Sequence, residues 1–457
     1  MELKKNDICT IEIIDMNHDG EGIGKADGCP LFVKDAIIGD IVRVKIMKMK
    51  KTYGYARLEA IITPSAHRVV APCGVARQCG GCQLQVMDYA KQLEFKQNKV
   101  ANNLQRIGKV TDYVMEPIIG MDEPFRYRNK AQFPVGRNKN GKLIAGFYAG
   151  HTHAIIENED CLLGVTENKD ILDIVLKYME DNHVEPYDEV SHMGMVRHVF
   201  IRKGFFTGEI MVCLVCNGKK LPKNDKLIDA LCTIPGMTGI FINVNKEKTN
   251  AILGSELIKL WGKDYITDTI GDIAYHISPM AFYQVNPIQT AKLYGKALEY
   301  AGLTGEETVW DIYCGIGTIS LFLAKNAKKV YGIEIIPEAI ENAKENAKLN
   351  NMDNTEFFVG KAEEVLPEWY ANNKGKADVV VVDPPRKGCD EAVLKTMAEM
   401  EPKRIVYVSC DPATLARDVA RLSEYGYKVE KVCVTDMFPN SVHCETVALL
   451  TREKGEQ

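Results

Sequence analysis

Thr308-Val309-Trp310-Asp311-Ile312-Tyr313-Cys314-Gly315-Ile316-Gly317-Thr318-Ile319-Ser320 is a short apolar run that reaches an acidic residue and opens onto a glycine turn. Gly315 and Gly317 permit a tight turn and let a ligand come close to the backbone. Further apolar runs follow at Lys329 to Glu334, Asp378 to Asp383 and Arg404 to Cys410. Helical stretches such as Pro337 to Asn350 and Pro412 to Tyr425 alternate with them. Short apolar strands alternating with helices predict a parallel, doubly wound sheet. A ligand of such a sheet lies beyond the carboxyl ends of its strands.

Four residues are expected at that edge. Asp311 ends the first strand, and Glu334 follows 23 residues later at the end of the second, where a carboxylate can hold ribose hydroxyls. The turn suits NAD and S-adenosylmethionine alike. However, Ser320 stands where the third glycine of a dinucleotide fingerprint would be, which disfavours a pyrophosphate. Asp383 closes a third strand and runs into the stiff Pro384-Pro385-Arg386-Lys387-Gly388 loop. Cys410 ends a fourth, in Ser409-Cys410-Asp411-Pro412. Most cysteines are inert core residues. A thiol at a ligand edge, ahead of a helix N-terminus, can instead have its pKa lowered and act as a nucleophile. A base is offered by the late segment Ser441-Val442-His443-Cys444-Glu445-Thr446, where Glu445 begins an apolar strand and His443 is a rival.

Outward from this region the chain changes character. Residues 8–62 read as short strands broken by glycine turns such as Asp19-Gly20-Glu21-Gly22-Ile23-Gly24. Arg43, Lys45, Lys48, Lys50, Lys51 and Arg57 follow one another with no acidic residue among them. A small oligonucleotide-binding barrel with a phosphate-contacting face fits this pattern, as does a plain solvated hairpin. Residues 111–265 mix strands and helices without a strong repeat.

Cys73-Gly74-Val75-Ala76-Arg77-Gln78-Cys79-Gly80-Gly81-Cys82 has the spacing C-x5-C-x2-C, with glycines that let backbone wrap a metal centre. Zinc and iron–sulfur both remain open on spacing alone, and Cys161 is the best fourth ligand. Cys213 and Cys216 share the x2 spacing but sit in an apolar strand, which favours packing.

The chain has 457 residues, 46% apolar and 26% charged, as expected of a globular protein of two or three domains. The net charge of −5 gives no global sign of nucleic-acid binding, so any basic surface must be local. No apolar run approaches the roughly 20 residues that span a bilayer. The polar start shows no secretory signal, and a cytoplasmic protein without a membrane partner is expected. Fourteen cysteines in such a chain argue for thiols, metal ligands or catalysis over disulfides.

Together these residues resemble the bacterial RNA uracil-5-methyltransferases, especially the branch acting on 23S ribosomal RNA, over nearly the whole chain. The resemblance implies a TRAM barrel over residues 1–62, a central α+β domain with an iron–sulfur cluster over 63–270, and a Rossmann-like methyltransferase domain over 271–457. It implies S-adenosylmethionine as donor, held at Gln284, Tyr313, Gly315, Gly317, Glu334 and Asp383. A 4Fe-4S cluster would be held by Cys73, Cys79, Cys82 and Cys161. Cys410 would be the nucleophile and Glu445 the base, with Phe282 stacking near the target base and Arg128 touching RNA. The substrate implied is ribosomal RNA, because the best known transfer-RNA branch lacks barrel and cluster. No obligate protein partner is implied.

Competing expectations are a transfer-RNA enzyme and an RNA cytosine-5-methyltransferase. More distant are an NAD-dependent iron–sulfur oxidoreductase, which leaves Cys410 without a task, and a non-catalytic RNA-binding protein.

Overall fold

The protein is represented by a computed structural model that describes residues 3–150, 152–373 and 375–452. Met1, Glu2 and residues 453–457, the two ends of the domain ranges expected above, lie outside the described residues. The chain divides into two compact units. One comprises Met1–Lys99, Phe147–Ile156 and Phe438–His443; the other comprises Val100–Gly146, Glu157–Met437 and Cys444–Gln457.

The first unit is built on a closed barrel. Its strands are β1 (Ile8–Met16), β2 (Gly22–Ala26), β3 (Cys29–Val33), β4 (Ile41–Met49) and β5 (Gly54–Thr63), in the order β1-β2-β3-β5-β4. β4 returns to pair with β1 antiparallel, and β3 runs parallel to β5. The sequence period of two dictates this. Val42, Val44 and Ile46 point inward with Ile11, Ile13, Leu31 and Val33, while the basic residues between them point out. Gly24 is required here, because a Cβ on it would lie 2.6 Å from the Glu12 carbonyl oxygen.

A buried ion pair ties the barrel to the chain that leaves it. The Asp40 carboxylate accepts from Arg68 Nη2 at 2.6 Å, from Ile37 N at 2.8 Å and from Ser65 N at 2.9 Å. Burial alone would raise the Asp40 pKa, but the Arg68 bond and the two backbone N–H bonds outweigh it and hold the group below its ordinary value of 3.8. Asp40→Ala should therefore cost about 3–5 kcal/mol, because it strands a buried guanidinium and two amides. The sign of the pH effect follows from the depressed pKa. The stabilisation is present above about pH 4 and is lost as pH falls through the folded-state pKa. Chemical denaturation of wild type and variant should diverge at neutral pH and converge in strong acid; a constant difference would refute this account.

α1 (Tyr89–Asn103) carries the chain onward and ends in a π-helical turn, Leu104–Gly108. The second unit continues with β6 (Val114–Met115), which joins its larger sheet. The smaller sheet uses β7 (Lys130–Arg137), β8 (Leu143–Tyr148), β9 (Ile155–Glu157), β10 (Val196–Lys203), β11 (Ile210–Cys216), β12 (Met237–Val244) and β13 (Glu256–Gly262). Their order is β13-β12-β11-β10-β7-β8-β9. α2 (Glu167–Asp181) and α3 (Asn224–Leu231) accompany it. Cys213 and Cys216 are buried in β11, as core packing predicts. A hairpin of β14 (Ile266–Ile270) and β15 (Ile273–Ile277) then leads to α4 (Pro287–Ala301).

The larger sheet follows. Its strands are β16 (Thr308–Ile312), β17 (Lys329–Glu334), β18 (Thr355–Val359), β19 (Val379–Val382), β20 (Arg404–Ser409), β21 (Tyr427–Thr435) and β22 (Glu445–Arg452). The helices between them are α5 (Thr318–Ala324), α6 (Pro337–Leu349), α7 (Ala362–Asn373), α8 (Glu391–Glu399) and α9 (Pro412–Glu424). The order is β18-β17-β16-β19-β20-β22-β21-β6. From β18 to β20 the neighbours are parallel. Trp310, Val380, Val382, Ile405 and Tyr407 fill one side of it.

The strands expected to be parallel are so, and the sheet carries one reversed strand beyond them. β22 runs antiparallel to both β20 and β21. The reason is connection length: β21 and β22 are joined without a crossover helix, and only antiparallel neighbours can be joined that way. Among the described residues no helix is long and apolar enough to cross a membrane.

Candidate active site

The chain steps from β16 outward to β17 and β18, then returns to β19 on the other flank of β16. That reversal opens a crevice beyond the carboxyl ends of β16 and β19. Asp311, the glycine turn, Glu334 and Asp383 are all found there, at the ends of β16, β17 and β19.

The glycine turn is held by the protein's own bonds. Gly315 and Gly317 have φ of 55° and 82°, and Tyr313 also adopts a left-handed φ of 72°. A side-chain-bearing residue there is strained, typically by about 1–3 kcal/mol, and such strain gathers at ligand sites. The Glu334 carboxylate accepts from Gly315 N at 3.2 Å and from Ile336 N at 3.1 Å. It thus fixes the turn while keeping lone pairs for hydroxyl donors. Asn346 Nδ2 donates to the Ile316 carbonyl at 3.2 Å from α6. Beside Glu334, Ile335 and Ile336 are apolar yet 55% and 53% exposed, the kind of surface a flat base covers. Sequence reading passed over them because an exposed isoleucine has no pattern of its own.

Asp311 is buried and bonded to Ser320 Oγ at 2.5 Å, and burial pushes its carboxyl up to about 7. Ser320, noted only as a missing glycine, is therefore the partner of that acid. Asp383 is likewise pushed up to about 7 by burial. Gln284 is buried, its carbonyl accepts from Asn129 Nδ2 at 3.1 Å, and its side chain bonds Tyr294. Tyr294 in turn meets Thr318 Oγ1 at 3.1 Å, so Gln284 is linked to the first residue of α5.

Cys410 follows β20 and Glu445 opens β22. The register Ser409↔Thr446 sets the two side by side. Here the reversed strand matters. Because β22 is antiparallel, its amino end lies at the edge where the parallel strands finish, and Glu445 joins that edge by this reversal. Glu445 is 3% exposed, and its carboxyl is raised well above the ordinary value by burial and by Asp383, against the opposing charge of Arg386. His443 belongs to the other unit, with its ring 6.3 Å from that of Phe438.

The expected lowering of the Cys410 pKa is not what the site produces. Burial, then the charges of Glu445 and Asp383, push the thiol up to about 12, with Arg386 opposing. The helix N-terminus expected to help is already occupied. Asp411 caps α9, accepting from Ala413 N at 2.8 Å and Thr414 N at 3.1 Å. The resting side chain is a half-buried thiol. Alkylation of Cys410 should accordingly be slow at neutral pH and speed up only in strong alkali; fast modification of its peptide at neutral pH, read by mass spectrometry, would contradict this.

Phe282 is 66% exposed beside Gln284, and Arg128 is half-buried with its amide bonded to the Leu163 carbonyl at 2.8 Å. Two further cations lie near, which sequence reading missed. Burial, then Arg202 and Arg128, lower the Lys130 ammonium to about 8. Arg202 is buried and donates to the Ser278 and Ala281 carbonyls at 2.9 and 2.8 Å, shaping the approach to Phe282. Lys130 opens β7 and Arg202 lies one residue from the end of β10, and nothing in their sequence surroundings marks them as buried.

Cys73, Cys79 and Cys82 are half-buried on the irregular segment between β5 and α1. The Gly81 amide donates to Cys79 Sγ at 3.4 Å. Cys161, also half-buried, lies in the second unit, where its carbonyl accepts from Gly164 N at 3.0 Å. Among the described residues, no group of three or more His, Cys, Asp or Glu side chains is arranged to hold a metal ion. The donor chemistry suits an iron–sulfur group, with reachable thiols and an amide directed at sulfur.

A closed barrel of oligonucleotide-binding topology and a sheet with a donor-type crevice define an RNA-modifying transferase. The comparisons give the family. A sequence model described as tRNA (Uracil-5-)-methyltransferase matches residues 253–453, and the TRAM domain matches residues 3–58. An RNA methyltransferase of Halalkalibacterium halodurans is 52% identical over 449 residues, covering 98% of each chain. One of Clostridium tetani is 51% identical over 451 residues, covering 98% of this chain and 97% of its own. The crystal structure of the Pyrococcus abyssi tRNA (uracil-54, C5)-methyltransferase with S-adenosyl-L-homocysteine superposes with a TM-score of 0.78 at 28% identity, covering 97% of this chain and 100% of that one. The chain belongs to the RNA uracil-5-methyltransferase family.

Proposed function

We propose that this protein methylates carbon 5 of a uridine in ribosomal RNA, in the cytoplasm, through a covalent adduct between Cys410 and carbon 6. The observation that carries this reading is the juxtaposition of Cys410 with Glu445 across β20 and β22, beside Asp383. Carbon 5 of uracil is a weak nucleophile. Addition of the Cys410 thiolate to carbon 6 moves electron density to carbon 5. S-adenosylmethionine supplies an electrophilic methyl group on a positively charged sulfonium. Glu445, once ionised, takes the proton from carbon 5, and the electrons of that bond expel Cys410 as thiolate. Gln284, Tyr313, Gly315, Gly317, Glu334 and Asp383 hold and orient the donor. Arg386 favours the ionised forms of Cys410 and Glu445. Phe282 stacks near the target base, and Arg128 touches RNA.

We assign residues 1–62 to the barrel domain, 63–270 to the central domain and 271–457 to the catalytic domain. Cys73, Cys79, Cys82 and Cys161 hold a 4Fe-4S cluster, supported by their spacing, their half-burial and the amide on Cys79. Cys82→Ser should lower iron and sulfide content and bleach the visible absorbance of anaerobically purified protein; zinc in place of iron would refute the assignment.

Mapping 5-methyluridine in RNA from cells with and without the protein tests the function. Loss from 23S ribosomal RNA is expected. A transfer-RNA substrate is the second reading, favoured by the Pyrococcus enzyme, which shares the full architecture and acts on tRNA. Loss from transfer RNA alone would establish it. Methylated cytosine would refute both.

A further inference from the structure

We infer that Phe32, Tyr53 and Tyr55 on the outside of the barrel form a platform on which unpaired bases of the RNA stack, with the neighbouring lysines holding the phosphates. This rests on the reading of the protein as an RNA-acting enzyme and says how its barrel grips the strand.

Three rings meet at one place on the outer face. Phe32 lies 5.5 Å from Tyr53 and 5.7 Å from Tyr55, and the two tyrosines are 5.7 Å apart. The cluster is made by register. Phe32 pairs with Tyr55 across β3 and β5, and Lys48 pairs with Tyr55 across β4 and β5. Lys45 and Arg57 form the next cross-strand row. All of these side chains face outward, because Leu31, Val33, Val44, Ile46 and Ala56 between them face the barrel core. Tyr55 is 39% exposed. Aromatic side chains prefer burial, so a cluster of three left on a barrel surface needs a partner with flat, partly apolar faces.

The surrounding charge says which partner. Arg43, Lys45, Lys48, Lys50 and Lys51 form no ion pair among the described residues. Only Arg57 of this stretch is paired, with Glu59 at 3.6 Å. Cations set cross-strand to one another cost energy without an anion. Lys50 and Lys51 lie on the tight β4–β5 turn, closed by Lys50 N to the Tyr53 carbonyl at 2.7 Å. In barrels of this topology the β2–β3 face and the β4–β5 turn are where oligonucleotides bind. Glu21 and Asp19, on the β1–β2 turn, are acids whose charge acts on Tyr55. Glu21 is engaged with Asn17 Nδ2 at 2.9 Å and Asp19 with His18 at 3.3 Å. They repel phosphate on that side and direct the backbone along β4 and the β4–β5 turn. Rings flanked by unpaired cations match a single strand, whose bases offer π-faces that a duplex hides.

The test uses the full chain and fluorescent single-stranded oligouridine of roughly ten nucleotides, the scale of one such barrel. Tyr55→Ala should weaken single-strand binding about tenfold and leave binding to a duplex of equal length unchanged. Tyr55→Trp should keep the affinity. Lys48→Gln should weaken both ligands and lower the salt slope by about one. If Tyr55→Ala and Phe32→Leu bind the single strand as wild type does, or weaken strand and duplex equally, the platform is refuted. If wild type binds neither RNA, it is the RNA-acting reading that fails.

Discussion

Cys410→Ala should abolish methyl transfer to RNA, by at least about four orders of magnitude, the scale on which loss of a covalent nucleophile falls in a cooperating set. Donor binding should be unchanged, because the groups proposed to hold the donor lie at the ends of β16, β17 and β19 and, for Gln284, just ahead of α4, whereas Cys410 follows β20. The fold should also be unharmed. Cys410 is only half-buried, and the cap that starts α9 belongs to Asp411. Cys410→Ser separates nucleophilicity from size: it keeps the volume and forms no adduct. The pH profile carries a second signature. With the free thiol pushed up to about 12, single-turnover adduct formation should rise with pH through the neutral range. RNA methylation by Cys410→Ala at even a hundredth of the wild-type rate, measured with radiolabelled donor, would remove Cys410 from the chemistry.

How much of this site could be read in the sequence depended on the kind of signal. Strand–helix alternation and the glycine turn located β16, β17, β19 and β20 and with them Asp311, Glu334, Asp383 and Cys410; β18 was not picked out. Alternation also located the barrel, since its inward valines and outward lysines follow the pleat. The direction of β22 was not legible. An apolar strand reads the same in either direction, and only the short connection from β21 decides it. That direction is what brings Glu445 to the ligand edge. The protonation state of Cys410 was not legible either. A thiol before a helix N-terminus looks activated until Asp411 is seen to take the free amides and Glu445 and Asp383 are seen to surround it. Lys130 and Arg202 were missed because their burial is a property of the packed second unit. The platform was half legible. The basic run stood out, but Phe32 and Tyr55 lie 23 positions apart and become neighbours only through the pairing of β3 with β5.

Glu445→Gln should leave the protein covalently attached to its RNA. Addition of Cys410 to carbon 6 and transfer of the methyl group need no base at carbon 5, whereas release of Cys410 does. Turnover should fall by about two to four orders of magnitude, the usual worth of a positioned base. A slowly migrating protein–RNA band should persist on denaturing gels. The same substitution should stabilise the fold at neutral pH, and the sign can be worked out. The Glu445 carboxyl is raised well above its ordinary value of 4.5 by burial and by Asp383. Between that value and the folded-state pKa the native protein binds more protons than the unfolded chain, so stability falls as pH rises through this window. Glutamine, neutral throughout, removes the slope. The variant should melt higher than wild type at neutral pH and lose the advantage below about pH 4.5. A base held at a stability cost is what catalysis at this edge requires: an ordinary surface glutamate would be ionised at rest but hydrated, and too weak to take a carbon-bound proton. A variant that turns over normally would show that the carbon 5 proton leaves by another route, and one that accumulates neither adduct nor product would show that Glu445 acts before the adduct forms.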